Sequence, residues 1–266
     1  MEIESIELLK ALHILTRDGK MNADSRRKLK QVHHLTQLIE PLIRKLHTKH
    51  DRLDIVDVGA GKSYLGFILY DLVLKTLNDA HMTSIESRAE LVEKSKLLAK
   101  QSGFENFHFI ADVIENAKSD RKTDMICALH ACDTATDDAI IYGMKNNAQA
   151  FALVPCCQAE IARELAKLTE DPFELYPLYE FPIHRREFGS HLTNVFRTLF
   201  LRAHGFKVTV TELVGFEHSM KNELILAEKV SEENHPHTIR SREELISLHA
   251  RFPIRMKLLS HAQFLV

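Results

Sequence analysis

The chain has 266 residues, 45% of them hydrophobic, enough apolar side chain to fill one substantial core, and its formal net charge is -2. That balance excludes a protein that coats nucleic acid through a global positive field and leaves local basic patches as the electrostatic route to phosphates. No apolar run approaches the roughly 20 residues needed to cross a bilayer, and the start, Met1-Glu2-Ile3-Glu4-Ser5, lacks the cationic-then-apolar pattern of a secretory signal.

Glu4 to Leu15 reads as helical, as does a basic stretch from Arg26 that carries Val32, Leu35, Leu38 and Ile39 at helical spacing; together they predict an N-terminal helical cap over residues 1–50. From Leu53 short apolar runs alternate with longer amphipathic ones, the pattern of a sheet built from βαβ units. The predicted strands are Asp54–Val58, Met82–Ile85, Phe107–Ile110, Asp124–Leu129 and Ala150–Val154. Tyr64–Leu77 and Glu90–Lys100 are the first crossover helices, the second stopped by Gly103. After a Pro- and aromatic-rich connection over Asp171–Pro182, a helix from about Leu192 ends at Gly205. Phe206–Leu213 and Glu223–Lys229 are then two strands joined by a loop too short for a crossover helix, so they pair antiparallel. Ser241-Arg242-Glu243-Glu244 has capping-box spacing and opens a terminal helix in an extension over 231–266. Residues 51–230 form the core: α/β, Rossmann-like, a mostly parallel seven-stranded sheet with a C-terminal antiparallel hairpin.

Asp57-Val58-Gly59-Ala60-Gly61-Lys62-Ser63 follows the first strand and precedes a helix, where such sheets bind cofactors. A dinucleotide fingerprint needs a third glycine where this chain has Tyr64, and a Walker A loop needs a glycine where it has Val56, inside the strand. A site for S-adenosylmethionine needs only a short glycine turn beside the methionine part of the cofactor and an acid nearby, which Asp57, Gly59, Ala60 and Gly61 supply. Two further acids stand at strand ends: Glu86 is positioned to accept from both ribose hydroxyls, and Asp112 from the adenine amino group.

The segment after the fourth strand, Leu129-His130-Ala131-Cys132-Asp133-Thr134-Ala135-Thr136-Asp137, faces the transferred methyl group in this arrangement. His130 titrates in the range suited to removing a proton from the acceptor, and Asp133 either orients His130 or caps a helix. His130 packed on the cofactor, with Thr134 or Thr136 capping the next helix, is the bland alternative. The four cysteines, Cys127, Cys132, Cys156 and Cys157, share one segment, which is no disulfide framework, and the adjacent Cys156-Cys157 pair converges badly on a metal; no metal and a cytoplasmic, reducing location are expected.

The run Asp57 to Gly66, the run Leu129 to Asp137 and Val154-Pro155-Cys156-Cys157 together resemble the methyltransferase domain 32 family, whose relatives include tRNA 2′-O-methyltransferases. The resemblance spans roughly Gln31 to Lys229 and implies the class I methyltransferase fold and S-adenosyl-L-methionine as cofactor; His130, after the fourth strand, is read from its position as lying beside that cofactor. That family commonly reads Gly-Lys-Gly where this chain has Gly61-Lys62-Ser63. His184 to Arg197 and Gly215 to Glu223 are similar to bacterial members and should overhang the carboxyl side of the sheet, offering Arg185, Arg186, Arg197, Lys221 and Asn222 as a substrate rim. With Arg26, Arg27, Lys28 and Lys30 on the N-terminal helix, and Arg251, Arg255 and Lys257 near the end, these groups suggest structured RNA as the methyl acceptor. A small metabolite, or a non-catalytic binding role, are the alternatives.

Overall fold

The computed structural model describes residues 6–11, 15–16, 18–118, 122–129, 131, 133–155, 158–168, 174–213 and 223–265. Seven strands, β1 (Leu53–Val58), β2 (Ala80–Glu86), β3 (Phe107–Ala111), β4 (Met125–Ala128), β5 (Ala150–Leu153), β6 (Phe206–Glu212) and β7 (Glu223–Lys229), form one sheet in the order β3-β2-β1-β4-β5-β7-β6. The first five are parallel, and β7 lies antiparallel between β5 and β6. The expected mostly parallel sheet with its terminal hairpin is therefore the observed one. Because the order reverses direction between β1 and β4, a crevice opens beyond the carboxyl ends of those two strands.

Alternation along each strand divides the core into two layers. Ile55, Met82, Met125 and Cys127 face a layer built with α2 (Ala23–His47), α3 (Tyr64–Leu72) and α4 (Ala89–Gln101). Val56, Val58, Ile126 and Ala128 face α5 (Thr134–Lys145), α6 (Glu160–Leu165), α7 (Pro182–Ala203) and α8 (Pro236–Arg251). A short α1 (Ile6–Ala11) precedes α2. The amphipathic stripe read in α2 is real: Ile39 and Ile43 are fully buried and share one cluster with β1 and α3, so this helix continues the core. No described helix is long and apolar enough to cross a membrane.

Two helices begin earlier than their sequence signals suggest. Pro182, read as the end of a connection, is the first residue of α7, where its fixed φ and missing N–H do no harm. Pro236 likewise opens α8, and Ser241 lies inside that helix with its hydroxyl donating to the His237 carbonyl at 2.8 Å, so its spacing to Glu244 is no capping box.

Helix α7 also corrects one expectation outright. Arg197 is 1% exposed and cannot form part of a rim. Its Nε donates to Asp137 Oδ1 of α5 at 2.7 Å, its Nη1 to Asn194 Oδ1 at 3.2 Å and its Nη2 to the Asp133 carbonyl at 2.7 Å. Burial pushes the Asp137 carboxyl up from its usual value and the guanidinium pulls it part of the way back. Removing one partner strands the other in an apolar layer, so Arg197→Leu should cost about 3–5 kcal/mol in urea denaturation. Adding Asp137→Leu should recover much of that loss; equal stability of Arg197→Leu and wild type would show that the pair does not brace the helices.

Candidate functional site

Three strand ends build the site. β1 ends in a turn of alternating backbone hand: Gly59 has φ 64°, Gly61 φ 59° and Ser63 φ 52°, all left-handed. At the two glycines this conformation carries no Cβ penalty, and it bares backbone toward the crevice. Ser63 occupies the position where the family commonly has glycine, and the left-handed geometry is the physical reason for that preference. The turn is held from below by the Ala60 N–H on the Ile85 carbonyl, 3.1 Å, and from the side by the Gly61 N–H on Glu86 Oε2, 2.7 Å.

Asp57, the last core-facing acid of β1, is 3% exposed and lies under α3, where a Cβ on Gly66 would meet its Oδ2 at 3.3 Å. Among the described residues no donor reaches its carboxylate. Desolvation, then the charge of Glu86, push its pKa up to about 7. Glu86 ends β2 and is also buried, but it is well supplied with donors. Burial raises it, yet hydrogen bonds from Arg88 and from the Gly61 N–H outweigh that effect and hold its carboxyl below the usual glutamate value. Asp112, just beyond β3, is half-buried and accepts from the Val113 N–H at 2.8 Å.

After β4 the chain makes a second constrained turn. Asp133 has φ 53° and ψ -122°, a region that side-chain-bearing residues rarely enter. Four bonds hold it there: Oδ1 accepts from the Ala159 and Glu160 N–H groups at 2.9 and 3.2 Å, Oδ2 from Arg163 at 3.0 Å, and the carbonyl from Arg197. Thr136 adds a hydroxyl bond to the Ala131 carbonyl at 2.6 Å. Asp133 stands at the start of α5 without a side-chain cap bond there; its carboxylate instead anchors the start of α6. Burial raises its carboxyl, but those donors more than offset it and leave it below the usual aspartate value, a poor proton acceptor. His130, Cys132, Cys156, Cys157, Lys221 and Asn222 lie outside the described residues.

A buried polar chain sits beside this turn. Ser190 donates to Gln158 at 2.9 Å, Gln158 to Asn194 at 3.2 Å, and Asn194 to Glu223 of β7. Gln158 carries no recognisable motif, and the resemblance that covers Asn194 and Arg197 placed Arg197 on a rim and not in a buried network. The available signal was Arg197 itself, a charge set among Val195, Phe196, Leu199 and Phe200 in an otherwise apolar stretch.

The direction of the helices collects positive charge on one side. Lys45, near the end of α2, pairs with Glu228, which lies opposite the first residue of β5, so the first turns of α2 with exposed Arg26 and Lys30 point toward the carboxyl side of the sheet. Helix α7 meets Gln158, just beyond β5, through Ser190 and Asn194, which carries half-buried Arg185 and exposed Arg186 to the same side. Arg186 pairs there with Glu187. Past α8, the Arg255 and Lys257 N–H groups reach Glu164 and Glu160 of α6, which brings exposed Arg255 there as well. The Lys257 amine is engaged with Glu115 and Asp138.

The donor set fits S-adenosylmethionine. The Glu86 carboxylate stands close enough to raise Asp57, among the described residues only Glu86 has a cation beside it, and a ligand carrying ammonium and sulfonium groups would supply what Asp57 lacks. A glycine turn and a strand-end acid beside it complete the Rossmann-like arrangement of a class I methyltransferase. The methyltransferase domain 32 family, described as a methyltransferase domain, matches residues 27–164, just over half of the sequence, and the chain belongs to it.

Among curated proteins, the chain is 28% identical over 234 residues to a Bos taurus glutathione S-transferase C-terminal domain-containing protein, covering 79% of this chain and 34% of that one. The Homo sapiens protein of the same name is 30% identical over 145 residues, covering 53% of this chain and 20% of that one. The chain thus spans between a fifth and about a third of these relatives. Similar solved structures include the S-adenosylhomocysteine-bound Podospora anserina methyltransferase PaMTH1, with TM-score 0.48, 13% identity and coverage of 85% and 87% of the two chains. The 23S rRNA methyltransferase ErmE has TM-score 0.47 and 13% identity, with 82% and 75% covered.

Bound cofactor supplies an already activated methyl group on its sulfonium. This chain's residues would hold it: the Gly59–Gly61 backbone and Asp57 at the methionine end, Glu86 at the ribose. Their work would be to orient the donor for in-line displacement.

Two measurements probe this geometry. Replacing Ser63 by glycine relieves a left-handed side chain, so Ser63→Gly should be about 0.5–1 kcal/mol more stable than wild type in urea denaturation, and a less stable variant would deny the strain. The free folded protein retains the Asp57 proton up to about pH 7, whereas the unfolded chain releases it near the ordinary aspartate value of 3.8. As pH rises through that window the unfolded chain ionises while the folded state keeps its proton, so folding must take up a proton and the folded state loses stability. Asp57→Asn should therefore gain on wild type between about pH 4 and 7 and keep a thermal midpoint several degrees higher at pH 8. Parallel midpoint curves for the two proteins would contradict the raised value.

Proposed function

We propose that the chain methylates structured RNA, with His130 as the group that removes the acceptor's proton and Asp133 fixing the segment that carries it. The observation behind this reading is the convergence of three basic segments on the carboxyl side of the sheet: the start of α2, the start of α7 and the turn beyond α8. On a chain whose net charge is -2, such one-sided placement gives a local positive surface without a global one. A phosphate backbone laid across these segments would present a nucleotide to the crevice between β1 and β4. Lys221 and Asn222, in the hairpin turn, would complete the rim with Arg185 and Arg186. Asp112 would receive the adenine amino group of the cofactor. A small-molecule acceptor would need no such charge outside its pocket.

The test is incorporation of radiolabelled methyl groups from S-adenosylmethionine into fractionated cellular RNA, proteins and small metabolites. Label should enter RNA, fall at least about tenfold in His130→Ala, and vanish in Glu86→Ala. A triple Arg26→Glu, Arg186→Glu, Arg255→Glu variant should bind RNA at least about tenfold more weakly. Its dependence of log K on log salt should be shallower, by about one unit for each phosphate no longer neutralised. Label confined to the metabolite fraction, or RNA binding untouched by the charge reversals, would overturn the RNA reading.

A further inference from the structure

Glu86 is the acid on which the ribose reading depends, and its acceptor capacity is already taken up. An ionised carboxylate offers about four lone-pair positions. Five protein donors converge on them: the Gly61 N–H at 2.7 Å, the Arg88 N–H at 3.1 Å, Arg88 Nε at 2.8 Å, Arg88 Nη2 at 3.3 Å and the Ser87 hydroxyl at 3.3 Å. Two ribose hydroxyls cannot both donate to this group unless a donor leaves.

The candidates to leave are not equal. The Gly61 N–H belongs to the turn that closes β1, and the Arg88 N–H opens α4, so both are fixed by the backbone. The Ser87 bond is long. The guanidinium is different: the Arg88 side chain is 59% exposed while the Glu86 side chain is 7% exposed, and letting go exposes the cation to water that already surrounds it. Arg88 also overlies the glycine turn, since a Cβ added to Gly61 would lie 3.8 Å from Arg88 Nη2. Its guanidinium therefore occupies both the acceptor and the space above the turn.

We propose that Arg88 is a latch on the ribose acid: its guanidinium competes with the cofactor's ribose for Glu86 and must swing into solvent before the cofactor seats, so that Arg88 sets cofactor affinity. This rests on Glu86 being the ribose acceptor, and it goes beyond that reading in assigning a role to a residue outside the glycine turn and the strand-end acids. It predicts that removing the side chain tightens binding, the reverse of what a residue that grips the cofactor would do. An ion pair whose cation lies in solvent is worth a few-fold in affinity and is screened by salt.

The experiment is calorimetric titration of the full chain with S-adenosylhomocysteine and, separately, with adenosine, which carries the ribose without the amino acid. Wild type, Arg88→Ala, Arg88→Lys and Glu86→Gln are compared at low and high salt, with thermal melts to establish folding. Arg88→Ala should bind both ligands about three- to fivefold more tightly at low salt. The gap should narrow at high salt, where the wild-type latch is screened, and Arg88→Lys should fall between. Unchanged or weaker binding by Arg88→Ala, with wild type binding normally, overturns the latch alone. Glu86→Gln binding as well as wild type overturns the ribose assignment and the latch with it, and failure of folded wild type to bind S-adenosylhomocysteine overturns the cofactor site itself.

Discussion

The hydrogen bond from the Gly61 N–H to Glu86 joins the two halves of the candidate cofactor site. It ties the turn after β1 to the end of β2, so the backbone proposed to meet the methionine end and the acid proposed to meet the ribose are held at one fixed separation. A buried carboxylate tolerates that position only because backbone and guanidinium donors compensate its desolvation. Asp57, for which the described residues offer no such donor, has the opposite condition and is pushed toward neutrality. Among the described residues one of two neighbouring acids is hydrogen-bonded and the other is not, and a cationic ligand would remove the imbalance.

The second half of the site, the segment after β4, depends on a different solution. Asp133 adopts a backbone conformation that few residues accept, and it does so because its side chain caps α6 and its carbonyl meets Arg197. Arg197 in turn is tolerated in an apolar layer only through Asp137 and Asn194. Strain in the loop is thus balanced by a buried charged network behind it, a distribution often met where a backbone must be held ready for chemistry.

Much of the fold was legible in the sequence because it is written in periodicity. Strands flanked by Gly59 and Glu86, and the hairpin formed by β6 and β7, follow from apolar runs of strand length and connections too short for a helix. Where signals were purely local they misled: Ser241 and Glu244 have capping spacing, yet Pro236 starts the helix because its geometry favours the first turn. The positions of Asp57, Glu86 and Asp112 at or beside strand ends were legible, because a strand end follows from the apolar run before it. Arg197 and Gln158 were not, since nothing in a sequence states that an arginine will be enclosed between two helices. Arg88 was missed for a related reason: its significance comes from the lone pairs it occupies, which only geometry reveals.

The most direct measurement of the central claim is titration of the folded protein with S-adenosylmethionine beside ATP and NAD, repeated on Asp57→Ala and Glu86→Ala. The account predicts saturable binding of the methyl donor alone and its loss in both variants. Equal binding of ATP or NAD, or full retention of S-adenosylmethionine binding by the two variants, would contradict it.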